Sequence, residues 1–453
     1  MRRDCVVAAF ALSASVATSV SQGQTPFVGR QHRALDSLTH SLLLIRSSAN
    51  VGTIIDQAFH QEPSFYYYTG LENTLEGVLV LDGVGHESWL FLPDSLTDQL
   101  KFLALAHNTP ADTALMRARV DHMARWSELA PLIDRRKVED ASLGLLVSHG
   151  GTTGDWFGDV GTPIDSIPLD NPYLLWKQAV ERRWPSVSVR ADSVTPALRR
   201  IKDETEIATL RTVSAMSVKA WLAGLATIAP GHRQSTATSA IVRGCLAAGG
   251  VGTAAYPWVR GGIEATAPAL GGTLAAYRHG DRAFEAGELV HLDVGCETDH
   301  YMSDIGRTVP SEGRFDAGQR ETWDFLVQVY RAGLAAIHDG ALVNDVYAAS
   351  FGEVKRLQPR LRTPLAQHAA RKILTPHGPD YWEIRTEGLE VDEEAVAVLH
   401  TGMVITYEPT FSVDGQGFYL QDMLLVTRNG AEILDRGMPY TAAEIEARKA
   451  NPR

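Results

Sequence analysis

The sequence has few cysteines, no long apolar run beyond its N-terminus and no excess of positive charge. Of the three cysteines, only Cys245 and Cys296 lie outside the first residues of the chain. They could form one disulfide, although two isolated cysteines are more often buried free thiols. The net charge of -12 argues against a nucleic-acid partner. No later apolar run reaches the ~18 residues of a membrane-spanning helix.

The composition is that of a globular protein with a substantial core. The chain has 453 residues, of which 45% are hydrophobic and 21% are charged. This length is sufficient for two or three domains, and this balance excludes a disordered chain.

The N-terminus predicts a secretory signal over residues 1–21. Arg2 and Arg3 precede an apolar, small-residue run from Cys5 to Val20, and Ser19-Val20-Ser21 offers small residues at a cleavage site. A basic start, an apolar middle and a small-residue exit are typical of exported proteins. The alternative is an ordinary buried N-terminal helix. We expect export, to the periplasm or the extracellular space.

Residues 22–190 are expected to form a small α/β domain. Leucines in residues 22–60 recur at roughly helical spacing and predict a helical entry. Val78–Leu81 and Trp89–Leu92 are apolar runs between turn formers, which predicts two strands. The aromatic run Phe65–Tyr68 is interpreted as core packing, and Gly150–Pro172 as a loop or insertion. The sequence therefore favours a mixed α/β (α+β) fold.

A second domain is expected from about Thr195. Asp203 followed by Glu206 has the spacing of a capping box and predicts the start of a long helix. Further on, Met403–Pro409 and Phe418–Val426 have the composition of strands.

The segment His291–Thr308 carries the most informative pattern. Asp293 and Asp304 stand eleven residues apart, each beside apolar or β-branched residues. This pattern indicates a hairpin that places both carboxylates at one spot. Because two buried like charges repel, a divalent cation between them is the usual remedy. The alternative is two exposed loop acids.

These motifs resemble those of a known family. Leu-Asp-Val-Gly and Ser-Asp-Ile-Gly-Arg-Thr resemble the paired-aspartate motif of the pita-bread metallopeptidases, in particular aminopeptidase P and prolidase. Pro-Ser-Phe-Tyr-Tyr-Tyr-Thr-Gly resembles the signature of the aminopeptidase P N-terminal domain. The resemblance implies an N-terminal aminopeptidase P-type domain over 22–190 and a pita-bread (creatinase/aminopeptidase-like) domain over 195–445.

The resemblance also implies a chemistry. Family members bind two metal ions, manganese or zinc, and cleave peptides with proline at the second position. By match, Asp293 is a terminal ligand, Asp304 the bridging ligand, and Glu408 in Thr-Tyr-Glu-Pro a third ligand. The expected partner is thus a peptide, and a homo-oligomer is left open.

Three positions depart from the family pattern. Tyr381 stands where the family has its ligand histidine, and Gln421 where it has its last glutamate. A phenol has a pKa near 10 and is a poor ligand, while an amide has lost the negative charge needed to bridge two metals. Ala276 replaces a histidine that contacts substrate. We therefore expect one weakly held ion or none.

His377 matches the first histidine of the family's Pro-His-Gly segment. It could replace the missing nitrogen ligand, or act as the catalytic acid/base of a metal-independent, creatinase-like hydrolase. Three hypotheses therefore stay open: a weakened Xaa-Pro aminopeptidase, a non-catalytic peptide-binding relative, and a hydrolase without metal.

Overall fold

The structure is a computed structural model that describes residues 25–48, 61–72, 74–95, 110–148, 172–255, 257–266, 269, 281–375, 378–391 and 393–451. The signal segment 1–21, most of the predicted loop Gly150–Pro172, and the positions Ala276 and His377 lie outside these residues. Within the described residues, no helix has the length and apolarity needed to cross a membrane.

Helices are distributed along the whole described chain. They are α1 (Pro26–Ser37), α2 (Pro63–Thr69), α3 (Pro110–Arg119), α4 (Trp126–Glu139), α5 (Pro172–Arg183), α6 (Val194–Arg200), α7 (Glu204–Thr227), α8 (Gln234–Ala247), α9 (Ala317–Leu334), α10 (Val343–Leu357), α11 (Pro364–Ile373) and α12 (Ala442–Ala450). Short 3₁₀ turns lie at Gly262–Ala265 and Gln358–Arg360.

The strands form three sheets. They are β1 (Ser41–Arg46), β2 (Val78–Asp82), β3 (Glu87–Leu92), β4 (His122–Arg125), β5 (Gly144–Val147), β6 (Ser188–Ala191), β7 (Gly252–Thr253), β8 (Trp258–Gly261), β9 (Leu289–Val294), β10 (Cys296–Thr298), β11 (Tyr301–Met302), β12 (Ile305–Pro310), β13 (Tyr381–Thr386), β14 (Glu394–Ala395), β15 (Val404–Val413), β16 (Gln416–Thr427) and β17 (Gly430–Ile433).

The first half of the chain builds a six-stranded sheet in the order β4-β3-β2-β1-β5-β6. The predicted strands at Val78–Leu81 and Trp89–Leu92 are confirmed as β2 and β3. The helical interpretation of residues 22–60 holds for α1 but is wrong for β1. Leu42 and Leu44 pack into one core cluster and Leu43 and Ile45 into another. Because both faces of this strand are buried, its apolar run is continuous and shows no period of two.

The aromatic run forms α2 and is buried, as predicted. Phe65, Tyr67 and Tyr68 have no exposed surface. The Glu62 carboxylate accepts a hydrogen bond from the Phe65 backbone N–H and so caps the helix. The Tyr68 hydroxyl lies 3.1 Å from Thr195 Oγ1, which connects this helix to the start of the second half.

The second half contains an eight-stranded sheet, in which β14-β13-β15-β16-β12-β9-β8 are neighbours and β17 adds to β16. The predicted capping box is confirmed, since Asp203 and Glu206 each bond the other's backbone N–H at the start of α7. The predicted hairpin is also confirmed, because β9 and β12 pair antiparallel with Gly306 opposite Asp293. Since β16 pairs with both β12 and β15, all the candidate ligand strands are adjacent.

The sequence left open whether the two cysteines pair, and the structure pairs them. Cys245 on α8 and Cys296 on β10 form a disulfide, and both residues are buried. Their 51-residue separation conceals the pairing in the sequence. In the fold, α8 packs beside the three-stranded sheet β11-β10-β7 and brings the two Cα atoms to 5.5 Å.

Candidate metal centre

Three carboxylates surround one buried tyrosine at the centre of the eight-stranded sheet. Asp293 lies on β9, Asp304 directly precedes β12, and Glu408 lies on β15. Burial, and then the negative charges of these three acids, raise the pKa of Tyr419 well above its ordinary value. The three predicted ligands are therefore placed around the Tyr419 phenol, which remains protonated.

Tyr419 and Gln421 connect the two aspartates. The Gln421 Nε2 amide donates to Asp304 Oδ2 at 2.7 Å. The Tyr419 hydroxyl donates to Gln421 Oε1, and the Asp293 carboxylate lies close enough to this hydroxyl to help raise its pKa. We call this chain of contacts, from Asp293 through Tyr419 and Gln421 to Asp304, the neutral link, because both connecting side chains are uncharged.

Gly306 provides the space that the neutral link needs. A Cβ atom at this position would lie 2.1 Å from Tyr419 Cε1 and 2.6 Å from its hydroxyl oxygen. No side chain larger than hydrogen fits there without moving the ring. The glycine of the Ser-Asp-Ile-Gly-Arg-Thr motif is thus tied to the tyrosine on the neighbouring strand.

His291 is a further polar residue at this site. Its ring stacks on that of Tyr419, with centroids 4.0 Å apart and an interplanar angle of 19°. Its Nε2 lies 3.9 Å from Asp293 Oδ2, and its side chain is 3% exposed. Among the residues that the structure describes, neither ring nitrogen has a hydrogen-bond partner. This imidazole is therefore held beside the first aspartate by packing.

Sequence reasoning missed His291 and Tyr419, although a signal was present. On a strand, residues two apart point to the same face. His291 stands two residues before Asp293, and Tyr419 two residues before Gln421. Their side chains therefore had to share the face of the candidate ligands.

Tyr381 begins β13, opposite Thr410 of β15. Burial raises its pKa first, and the negative charges of Glu408, Glu383 and Asp380 raise it further. A phenol in this environment keeps its proton. The structure thus places Tyr381 near Glu408 as a neutral group, while Ala276 and His377 lie outside the described residues.

The opposite face of β16 carries a second polar cluster. Asp422 Oδ1 accepts from the Arg307 guanidinium at 2.5 Å, and Oδ2 accepts from the Tyr330 hydroxyl at 2.6 Å and from that of Tyr440. Asp435 adjoins this cluster, and burial together with the charge of Asp422 raises its pKa well above the ordinary value. We call these five residues the rear cluster.

The described residues do not fit a dinuclear metal centre. Among them, no group of three or more His, Cys, Asp or Glu side chains is arranged to hold a metal ion. A bridging carboxylate must offer both oxygens to metal. Asp304 Oδ2 instead accepts an amide N–H, and Gln421 is neutral. The binding of one ion by Asp293, Asp304 and Glu408 stays a prediction.

The fold and the sequence both have known relatives. The sequence model of metallopeptidase family M24 matches residues 208–428. The solved structure of Pseudomonas aeruginosa aminopeptidase PepP superposes with a TM-score of 0.72 at 20% identity, covering 94% of this chain and 98% of that one. Zinc-substituted Escherichia coli aminopeptidase P in complex with product gives 0.71 at 22% identity, covering 95% and 99%. The architecture is therefore the pita-bread fold, as the motifs predicted.

Xaa-Pro aminopeptidases are among the sequences similar to this chain. Xaa-Pro aminopeptidase 3 of Homo sapiens is 25% identical over 422 residues, which cover 86% of this chain and 77% of the relative. Xaa-Pro aminopeptidase of Escherichia coli (strain K12) is 24% identical over 421 residues, covering 86% and 88%. Residues 208–428 thus match metallopeptidase family M24, and the chain resembles the Xaa-Pro aminopeptidases over most of its length.

Proposed function

We propose that this chain is an exported Xaa-Pro aminopeptidase-like protein whose hydrolysis of peptides with proline at the second position is weak. The proposed substrate class follows from the relatives, which are Xaa-Pro aminopeptidases. The weakness follows from the neutral link, in which Gln421 donates to the aspartate that would bridge two metals. At most one divalent ion, manganese or zinc, would be held, with Asp293 among its ligands.

The same observation favours a second candidate, a non-catalytic peptide-binding protein. Gln421 donates a hydrogen bond to Asp304 without any ion, and the fold alone does not require catalysis. The metal-independent hydrolase, with His377 as its acid/base, has no support among the described residues and remains a hypothesis about that position.

One assay separates the first two candidates. The purified mature protein is given an Xaa-Pro peptide and a matched Xaa-Ala peptide, with Mn²⁺, Zn²⁺ or Co²⁺ added in turn. A hydrolase cleaves the Xaa-Pro peptide slowly and in a metal-dependent manner. A binding protein retains the Xaa-Pro peptide in calorimetry but leaves it intact. Failure to bind or cleave either peptide would contradict both candidates.

Export is supported by two independent features. The first is the basic, apolar and small-residue order of residues 1–21. The second is the Cys245–Cys296 disulfide, because disulfides persist mainly in oxidising compartments. N-terminal sequencing of the native protein should start between Gln22 and Thr25. A cytoplasmic protein that retains Met1 would contradict export.

A further inference from the structure

The His291 imidazole has an environment that calls for a ligand. Both ring nitrogens are buried and lack a hydrogen-bond partner in the described part of the chain, and the residue is 2% exposed. A buried polar group that is left unsatisfied costs folding free energy, so such groups in native proteins usually have a role or a partner. Two neighbouring rings, Tyr419 stacked and Trp258 edge-on, pack against His291.

A carboxylate oxygen of Asp293 lies beside this imidazole. His291 Nε2 and Asp293 Oδ2 are 3.9 Å apart, and the two residues share one face of β9. Two donors that each lie about 2.1 Å from one ion are separated by roughly 3.0–3.5 Å. Side-chain rotations that bring the two atoms about half an ångström closer would therefore let both bind a common ion.

The charge at this position is also that of a cation site. Within the described parts of the chain, no lysine or arginine forms an ion pair with Asp293. Asp304 and Glu408 add negative charge near Asp293, since the charges of all three acids raise the pKa of Tyr419. A divalent ion would neutralise this charge, and a neutral imidazole would supply the nitrogen ligand that Tyr381 does not.

We infer that His291 and Asp293 form a two-donor site for a single divalent cation, with His291 Nε2 as the nitrogen ligand. This inference rests on the proposed function, and it assigns that site to a residue outside the ligand set that the motifs predicted. Two protein donors leave several coordination positions open, which fits weak binding. Tyr419 acts as a positioning residue, because its ring holds the imidazole plane.

The test is the electron spin echo signal of Mn²⁺ bound to the metal-free protein. Wild type should bind about one Mn²⁺ and show the modulation of an imidazole nitrogen. His291→Phe keeps a stacking ring but offers no nitrogen, so the modulation should disappear and the affinity should fall at least about tenfold. His338→Ala, which removes an exposed histidine, is the matched control and should leave both unchanged.

Several results would overturn the inference. The inference is contradicted if wild type shows no nitrogen modulation, or if it binds no Mn²⁺ at millimolar concentration. It is also contradicted if the modulation persists in His291→Phe, or if His377→Ala abolishes the modulation and His291→Phe does not. Should His291→Phe not fold, by circular dichroism, His291→Gln serves in its place.

The same measurements, combined with the peptide assay, distinguish failure of the His291 site from failure of the proposed function. Wild type that cleaves an Xaa-Pro peptide without nitrogen modulation contradicts the His291 site and leaves the proposed function standing. Modulation that depends on His291, in a protein that neither binds nor cleaves the peptide, supports the site and contradicts the proposed function.

Discussion

Gln421 and Asp422 are neighbours on β16, and their side chains serve two different environments. Gln421 faces Asp304 and belongs to the neutral link, which contains no positive charge. Asp422 faces the other way and belongs to the rear cluster, where Arg307 compensates its charge and two tyrosines complete its hydrogen bonds. One strand thus carries a neutral front face and a charged, satisfied rear face.

The two faces of β16 serve different purposes: the rear cluster stabilises the fold, and the front face carries the candidate metal chemistry. The rear cluster connects β12, β16 and α9, so it stabilises the sheet whether or not a metal binds. The front face positions the candidate ligands, and its replacements leave the sheet intact. Likeness of fold to aminopeptidase P therefore carries no information on metal content.

The largest expected effect comes from breaking the rear cluster. Asp422→Asn removes the charge that pairs with Arg307, and the guanidinium would stay buried without its counter-ion. Removing one partner of a buried ion pair costs about 3–5 kcal/mol. Urea unfolding at neutral pH should show this loss. The matched variant Gln421→Ala on the front face should cost less, and equal losses would contradict the distinction between the faces.

A smaller effect is expected when Gly306 acquires a side chain. Gly306→Ala places a methyl group against the Tyr419 ring, and overpacking of this kind costs about 1–3 kcal/mol. Gly352→Ala is the control, because its Cβ meets nothing within 4 Å in α10 and alanine favours a helix. Thermal unfolding measures both. If Gly306→Ala is as stable as wild type, the Tyr419 ring does not lie over this glycine.

Asp435 is expected to make the free energy of unfolding depend on pH. Because its pKa is raised by burial and by Asp422, the stability it contributes is present at low pH and is lost as pH rises through its folded pKa. Asp435→Asn cannot ionise, so its free energy of unfolding should fall less steeply with rising pH than that of wild type. Chemical unfolding across a pH series tests this. Parallel curves for the two proteins would exclude Asp435 as the titrating group.

The sequence predicted those helices and strands that depend on residues close together in the chain. Asp203 and Glu206 predicted the start of α7, and the spacing of Asp293 and Asp304 predicted the β9–β12 hairpin. The β1 strand was missed because burial on both faces removes its alternation.

The remaining features depend on contacts between distant segments. The disulfide joins residues 51 apart, and the Gln421–Asp304 hydrogen bond joins residues 117 apart. The sequence shows Gln421 at the position where the family pattern has its last glutamate. Its role as a donor to Asp304 is not visible there, because that role depends on the register of β12 against β16.

The central claim is that Asp304 accepts a hydrogen bond from the neutral Gln421 amide in place of bridging two metal ions. The direct measurement is manganese per chain by elemental analysis, for wild type and for Tyr381→His with Gln421→Glu. Wild type should hold at most one ion and the double variant should approach two, while adding Ala276→His should recover some Xaa-Pro cleavage. Two ions per wild-type chain with full Xaa-Pro cleavage would contradict the claim.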